Sequence, residues 1–176
     1  MQDILVAKRY IKALMGVLEP KELEDALALF EAIAALFEDP KVKSVLLSPE
    51  IKEEKKAQLL IEAANVQNPK LVNFIKLLAQ KRRISLFPAL ARELRREIAL
   101  MKREFGGCVY CDFDLSDEEM AQIAQALAKR VDGKVALRHC GGYDGIKVEV
   151  DIVGIEIDFS RSRIKKQLIE NILKAI

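Results

Sequence analysis

The chain has 176 residues, 51% hydrophobic and 32% charged, the composition of a folded, helix-rich protein and not of a disordered one. Its length holds one domain or two small ones. A net charge of only +2 excludes the overall basic footprint of a protein that neutralises many nucleic-acid phosphates. The N-terminal residues Met1 to Lys8 carry no basic leader followed by an apolar core, and no apolar run approaches the roughly 20 residues of a membrane span. A cytosolic chain is expected. Three cysteines without a secretion signal predict reduced thiols and not a disulfide framework.

Through the first 105 residues apolar side chains recur at three and four, and Pro or a capping residue stands at each start. Six helices are predicted. The first runs from Gln2 to Leu18; Pro20 opens a second, Lys21 to Glu38, which Asp39-Pro40 ends because a residue before Pro is pushed out of the helical region. A short third covers Lys41 to Leu47. Ser48-Pro49 supplies a cap and a first-turn Pro for a fourth, Glu50 to Asn65, and Asn68-Pro69 does the same for a fifth, Lys70 to Arg83. Ser85 caps the sixth, whose stripe of Phe87, Leu90, Leu94, Ile98, Met101 and Phe105 runs up to Gly106-Gly107, the expected stop and domain boundary.

Beyond that pair the period changes. Cys108 to Phe113 reads as a strand, and Ser116 with Glu119 forms a capping box for a helix that ends at Asp132-Gly133. Lys134 to His139, Ile146 to Ile152 and Ile155 to Phe159 alternate or are enriched in β-branched residues and read as strands, and Ser160 caps a last helix to Ile176. The fold class is therefore mainly α with a small α+β part: a six-helix bundle over residues 1–105 and a βαβββα domain over residues 106–176. The two parts carry +4 and −2, a difference that solvated faces readily produce.

Three groupings could carry chemistry. Cys108 and Cys111 with His139 and Cys140 hold the atoms of a zinc shell, but Val109-Tyr110 is strand-forming, so Cys108 and Cys111 point to opposite faces. Gly141-Gly142-Tyr143-Asp144-Gly145 lacks the Lys-Ser/Thr and the helix of a phosphate cradle, and reads as a bend between strands with Gly at positive φ. No Ser, His and Asp grouping and no paired carboxylates stand out, so an enzyme is the poorer reading. Lys81, Arg82, Arg83, Arg92, Arg95, Arg96, Lys102 and Arg103 make a basic stretch, and an RNA-binding regulator using the sixth helix is the rival reading. Glu93, Glu97 and Glu104 interleave with these cations, as on an ion-paired solvated face.

The helical wheel is more informative. Ile4, Ala7, Ile11, Leu14 and Leu18 make a core stripe on the first helix, and Val6, Tyr10, Ala13 and Val17 make a second on its flank. Together they span about 200°, twice what a surface helix requires. On the fifth helix Leu71, Ile75, Leu78 and Ala79 form the core face, while Leu77 lies off it beside Asn73, Gln80 and Lys81. Two readings stand: neighbours inside the bundle cover these surplus residues, or a partner does.

Three segments in order along the chain resemble one family. Ala7-Lys8-Arg9-Tyr10-Ile11-Lys12-Ala13-Leu14, then Asn73 to Ile84 followed by Leu86-Phe87-Pro88, then Ile157-Asp158-Phe159-Ser160 with Arg161, Arg163 and Leu168, are similar to the delta (oligomycin sensitivity conferring) subunits of rotary ATP synthase. Phe159 stands where that family usually has Gly, so the strand before Ser160 is expected to run one residue further. The resemblance implies a non-catalytic peripheral-stalk subunit without a cofactor, on the cytoplasmic face of a bacterial inner membrane. It implies that the bundle grips N-terminal helices of the head's alpha subunits in a groove between helices one and five. Val6, Tyr10, Ala13, Val17, Asn73, Leu77, Gln80 and Lys81 are the candidate groove residues. It further implies that the C-terminal domain meets the ends of b-type stalk subunits, with Ile164, Leu168 and Ile172 as candidates; that row could equally pack on its own sheet.

Overall fold

A computed structural model describes residues 2–160. Seven α-helices and four strands are present among them, and the chain divides into two compact units, residues 1–98 and 99–176. The first unit contains α1 (Gln2–Met15), α2 (Pro20–Leu36), α3 (Pro40–Leu47), α4 (Glu53–Ala63), α5 (Pro69–Gln80) and most of α6 (Phe87–Lys102). Asp39 and Asn68 each accept a hydrogen bond from the backbone N–H two residues on, and each is followed by Pro in the first helical turn. These caps start α3 and α5 where the sequence predicts.

One core joins the six helices. At its centre Phe30 of α2 stacks on Phe74 of α5, with centroids 5.4 Å apart, and meets Phe87 of α6 edge-on at 5.6 Å. Both offset-stacked and edge-to-face arrangements are favourable for aromatic rings, so one residue ties three helices together.

Four expectations for this unit require correction. Ile4, placed in the core stripe of helix one, is 52% exposed, because the buried face of α1 begins at Ala7. Ser48-Pro49 does not open a helix: the Ser48 hydroxyl accepts from the Glu50 N–H in a turn, and Lys52 is the N-cap residue of α4. Ser85 lies inside a short 3-10 turn, Ile84–Leu86, and α6 starts at Phe87. That helix stops at Lys102, because Arg103 adopts a left-handed φ of 51°. Consequently Met101 is exposed and Phe105 belongs to a different core.

The second unit holds β1 (Glu104–Cys111), α7 (Asp117–Val131), β2 (Lys134–His139), β3 (Gly145–Val150) and β4 (Ile155–Ser160). Its sheet has the order β2-β1-β3-β4, with β1 and β2 parallel and the other neighbours antiparallel. The parallel pair requires a crossover, which α7 supplies. Ser116 and Glu119 form the expected capping box, and Asp132 ends the helix at a left-handed φ of 50°. Phe105, Val109, Cys111, Leu127, Val148 and Val150 make the core of this unit.

Gly106-Gly107 is not a helix stop but part of β1. A Cβ on Gly107 would lie 2.7 Å from the Glu149 carbonyl oxygen and 2.8 Å from Leu137 Cδ2, so close strand packing is what requires glycine there. In the turn after β2, Gly141 and Gly142 take φ of 64° and 75°, as expected of that loop. The last strand extends through Ser160 without a positive φ at Phe159, as the Phe-for-Gly replacement predicts. The predicted last helix, with Ile164, Leu168 and Ile172, lies outside the described residues.

Candidate functional site

Between α1 and α5 the first unit has an open groove of about 320 Å³ lined by Tyr10, Ala13, Leu14, Val17, Lys70, Asn73, Phe74 and Leu77. Buried Leu14 and Phe74 form its floor, and Ala13, Val17, Asn73 and Leu77 are exposed along its rims. Val17 is 59% and Leu77 42% exposed, a large solvent area for apolar side chains lining one cleft. Five of the eight predicted groove residues meet here: Tyr10, Ala13, Val17, Asn73 and Leu77. The other three do not. Val6 is half-buried against the unit's core, Gln80 lines a separate cleft between α4 and α5, and Lys81 is the C-cap residue of α5.

Both ends of the groove are fixed by polar contacts. At one end Arg83 Nη1 donates to Tyr10 Oη at 3.0 Å, its guanidinium lies 5.7 Å over the Tyr10 ring, and that ring packs edge-on against Phe74 at 6.0 Å. These contacts favour this placement of the Tyr10 ring, which forms an apolar wall of the groove. At the other end Lys70 Nζ donates to the Val17 carbonyl oxygen at 3.2 Å and to Glu22 Oε2 at 2.8 Å. Asn68 Nδ2 donates to Glu22 Oε1 at 2.9 Å, and the Glu19 N–H donates to Glu22 Oε2 at 2.9 Å. One carboxylate thus joins the start of α2 to the start of α5, and Lys70 carries the link on to Val17 in the turn after α1. Neither Arg83 nor the Glu22 tie was recognised in the sequence, because both depend on contacts between residues more than 40 positions apart.

The Lys70 ammonium, followed by the Glu19 N–H and the Asn68 amide, lowers the Glu22 pKa from 4.5 to about 2. A carboxylate whose folded pKa is depressed adds stability above its unfolded pKa, and that stability disappears as pH falls through the folded value. In unfolding measurements over a pH series, wild type is therefore expected to exceed Glu22→Gln in stability at neutral pH. The difference should shrink as pH falls from about 4.5 towards 2.

The remaining sequence candidates separate in space. Arg95 holds Glu31 through two nitrogens at 3.0 and 2.6 Å, Arg96 pairs with Glu93, and Arg92 Nε donates to the Pro88 carbonyl. Arg103 pairs with Asp132. These cations of the basic stretch are occupied by the protein's own acceptors, as an ion-paired face requires. A larger concavity between α2, α3 and α6 is crossed by the Arg95 to Glu31 pair. The four zinc-type residues form two pairs and do not converge: Cys108 is bonded to Cys140, and Cys111 Sγ lies 3.1 Å from His139 Nε2. The bond corrects the expectation of three reduced thiols: β1 and β2 are parallel neighbours, which brings Cys140 beside Cys108.

An α-helical unit with an open apolar groove, followed by a small mixed-sheet unit, is an architecture suited to holding other proteins. The chain belongs to the ATP synthase delta (OSCP) subunit family, whose model matches residues 6–154. It is 55% identical to the ATP synthase subunit delta of Nitratiruptor sp. and 39% identical to that of Aliarcobacter butzleri, in each case over 98% of both chains. That of Campylobacter curvus is 36% identical over the same shares. A chain in the mitochondrial ATP synthase hexamer of Toxoplasma gondii shares the fold, with a TM-score of 0.64 over 95% of this chain and 97% of that one at 16% identity. The chain is accordingly a structural, non-catalytic peripheral-stalk subunit of ATP synthase. No helix among the described residues is long and apolar enough to cross a membrane.

Proposed function

We propose that the chain anchors the catalytic head of a bacterial ATP synthase to the peripheral stalk, the first unit gripping an N-terminal helix of an alpha subunit in the α1–α5 groove. The observation that carries this reading is the exposure of apolar Val17 and Leu77 in one cleft between α1 and α5, with polar contacts of Lys70 and Arg83 at its two ends. From Lys70 to Leu77 the cleft follows two turns of α5, about 10 Å. It fits two to three turns of an amphipathic helix with apolar anchors at i, i+3 or i+4, and i+7. Val6, Gln80 and Lys81 lie beyond that stretch and extend the contact at its margins.

The second unit, with the predicted last helix and its row of Ile164, Leu168 and Ile172, is assigned to the b-type stalk subunits. The complex then sits at the cytoplasmic face of the cell membrane, peripherally. A stator element must resist torque, which calls for slow dissociation. A desolvated apolar contact gives that better than exposed ion pairs, whose strength is small and screened by salt. The test is affinity capture from detergent-solubilised cell membranes with tagged full-length chain: alpha and b-type subunits should be retained after a high-salt wash. Recovery of RNA in their place, lost steeply with salt, would favour the rival reading.

A further inference from the structure

The cysteines lie outside the groove. Cys108 stands opposite Arg138 in the parallel β1–β2 register, so Cys140, two residues on, falls diagonally beside it on the same face. Their Cα atoms are 5.8 Å apart, within the usual span of a bridge, and their sulfurs are bonded. Cys140 is exposed and Cys108 half-buried, so a small thiol can reach the bond. Arg138 Nε lies 3.1 Å from Cys108 Sγ, and a guanidinium at that position favours the thiolate once the bond is open. Cys111 is on the other face, buried, with its sulfur against the Phe113 carbonyl and His139.

We propose that Cys108 and Cys140 form a reversible redox modification site, opened and closed by exchange with thiols and disulfides of the surroundings, from which Cys111 is excluded. In closing, the Cys108 thiolate attacks an external disulfide, forming a mixed disulfide and expelling one thiolate. The Cys140 thiolate then attacks the Cys108 sulfur and expels the second. The chain gives up two electrons and its two thiol protons, and the external disulfide becomes two thiols; a dithiol reverses both steps. Arg138 makes Cys108 the faster attacking thiol at neutral pH. Closure fixes the end of edge strand β2, where the Cys140 N–H donates to the Val109 carbonyl at 2.8 Å, and so anchors the Gly141-Gly142 turn that follows. Opening leaves that end held by the backbone ladder and the contact of His139 with Cys111.

The experiment equilibrates the full-length chain with oxidised or reduced glutathione, denatures it in iodoacetamide and counts labels by mass spectrometry. A single label on Cys111 is expected after oxidation and three after reduction, with full return on cycling. Three labels after oxidation, a bridge that includes Cys111, or stable glutathione adducts in place of the bridge would each overturn the proposal. In the reduced, folded chain Arg138→Gln is expected to slow alkylation of Cys108 at pH 7 several-fold, on the order of fivefold. An unchanged rate would overturn the part given to Arg138.

Discussion

Val17→Asp combined with Leu77→Asp is expected to weaken binding of the isolated ATP synthase head by at least about 100-fold, or on the order of 3 kcal/mol. Both side chains are exposed in the free chain, so two carboxylates there are solvated and cost the fold little. In the complex they would face apolar anchors, with burial of unpaired charge on both rims. Calorimetric titration against the head reads the affinity, and far-ultraviolet circular dichroism checks the helix content. Tyr10→Asp should also weaken binding, but it is a less selective probe. Tyr10 packs on Phe74 and accepts from Arg83, so its loss also disturbs the groove wall. Affinity of the double variant within twofold of wild type, with normal helix content, would remove the groove assignment.

Phe30→Ala is expected to have the largest effect on stability, about 3 to 5 kcal/mol, because it deletes a fully buried ring and leaves a cavity among close-packed neighbours. Phe30 is 0% exposed and contacts the rings of Phe74 and Phe87. The loss reaches the groove as well, since Phe74 is part of its floor. Denaturant unfolding followed by the helical signal measures the change. Leu59→Ala on α4, at a site 42% exposed, is the control and should change stability by less than about 1 kcal/mol.

Where local chemistry decides an element, the sequence was sufficient. Asn68-Pro69 starts α5, the Ser116 to Glu119 box starts α7, and the predicted strand Lys134–His139 is the observed β2. Where a distant contact decides, it was not. Gly106-Gly107 follows a helical stripe and looks like a stop, yet Gly107 is required by the Glu149 carbonyl and Leu137 packed against it. Ile4 continues the apolar period of α1, but the core does not extend that far. A local signal can also serve two structures: Ser48-Pro49 has the form of a helix start, yet the Ser48 hydroxyl accepts from the Glu50 N–H in a turn.

The groove shows the same division. Wheel geometry placed Tyr10, Ala13 and Val17 on one face of the predicted first helix, although α1 ends at Met15, and Leu77 with Asn73 off the core face of α5, because rotational position follows the helical period. It could not show that these faces meet, nor that Phe74 forms the floor, nor that Gln80 and Lys81 lie past its end. The bond between Cys108 and Cys140 was hidden for a related reason: strand order is a property of topology, and it alone brings positions 108 and 140 together.

The most direct measurement replaces Leu77, and in a separate chain Leu59, with a photoreactive amino acid and irradiates each after reconstitution with the intact ATP synthase head. A covalent adduct from position 77 to the N-terminal segment of an alpha subunit, with none from position 59, is the predicted result. Adducts to that segment from position 59 and none from position 77 would contradict docking in the α1–α5 groove.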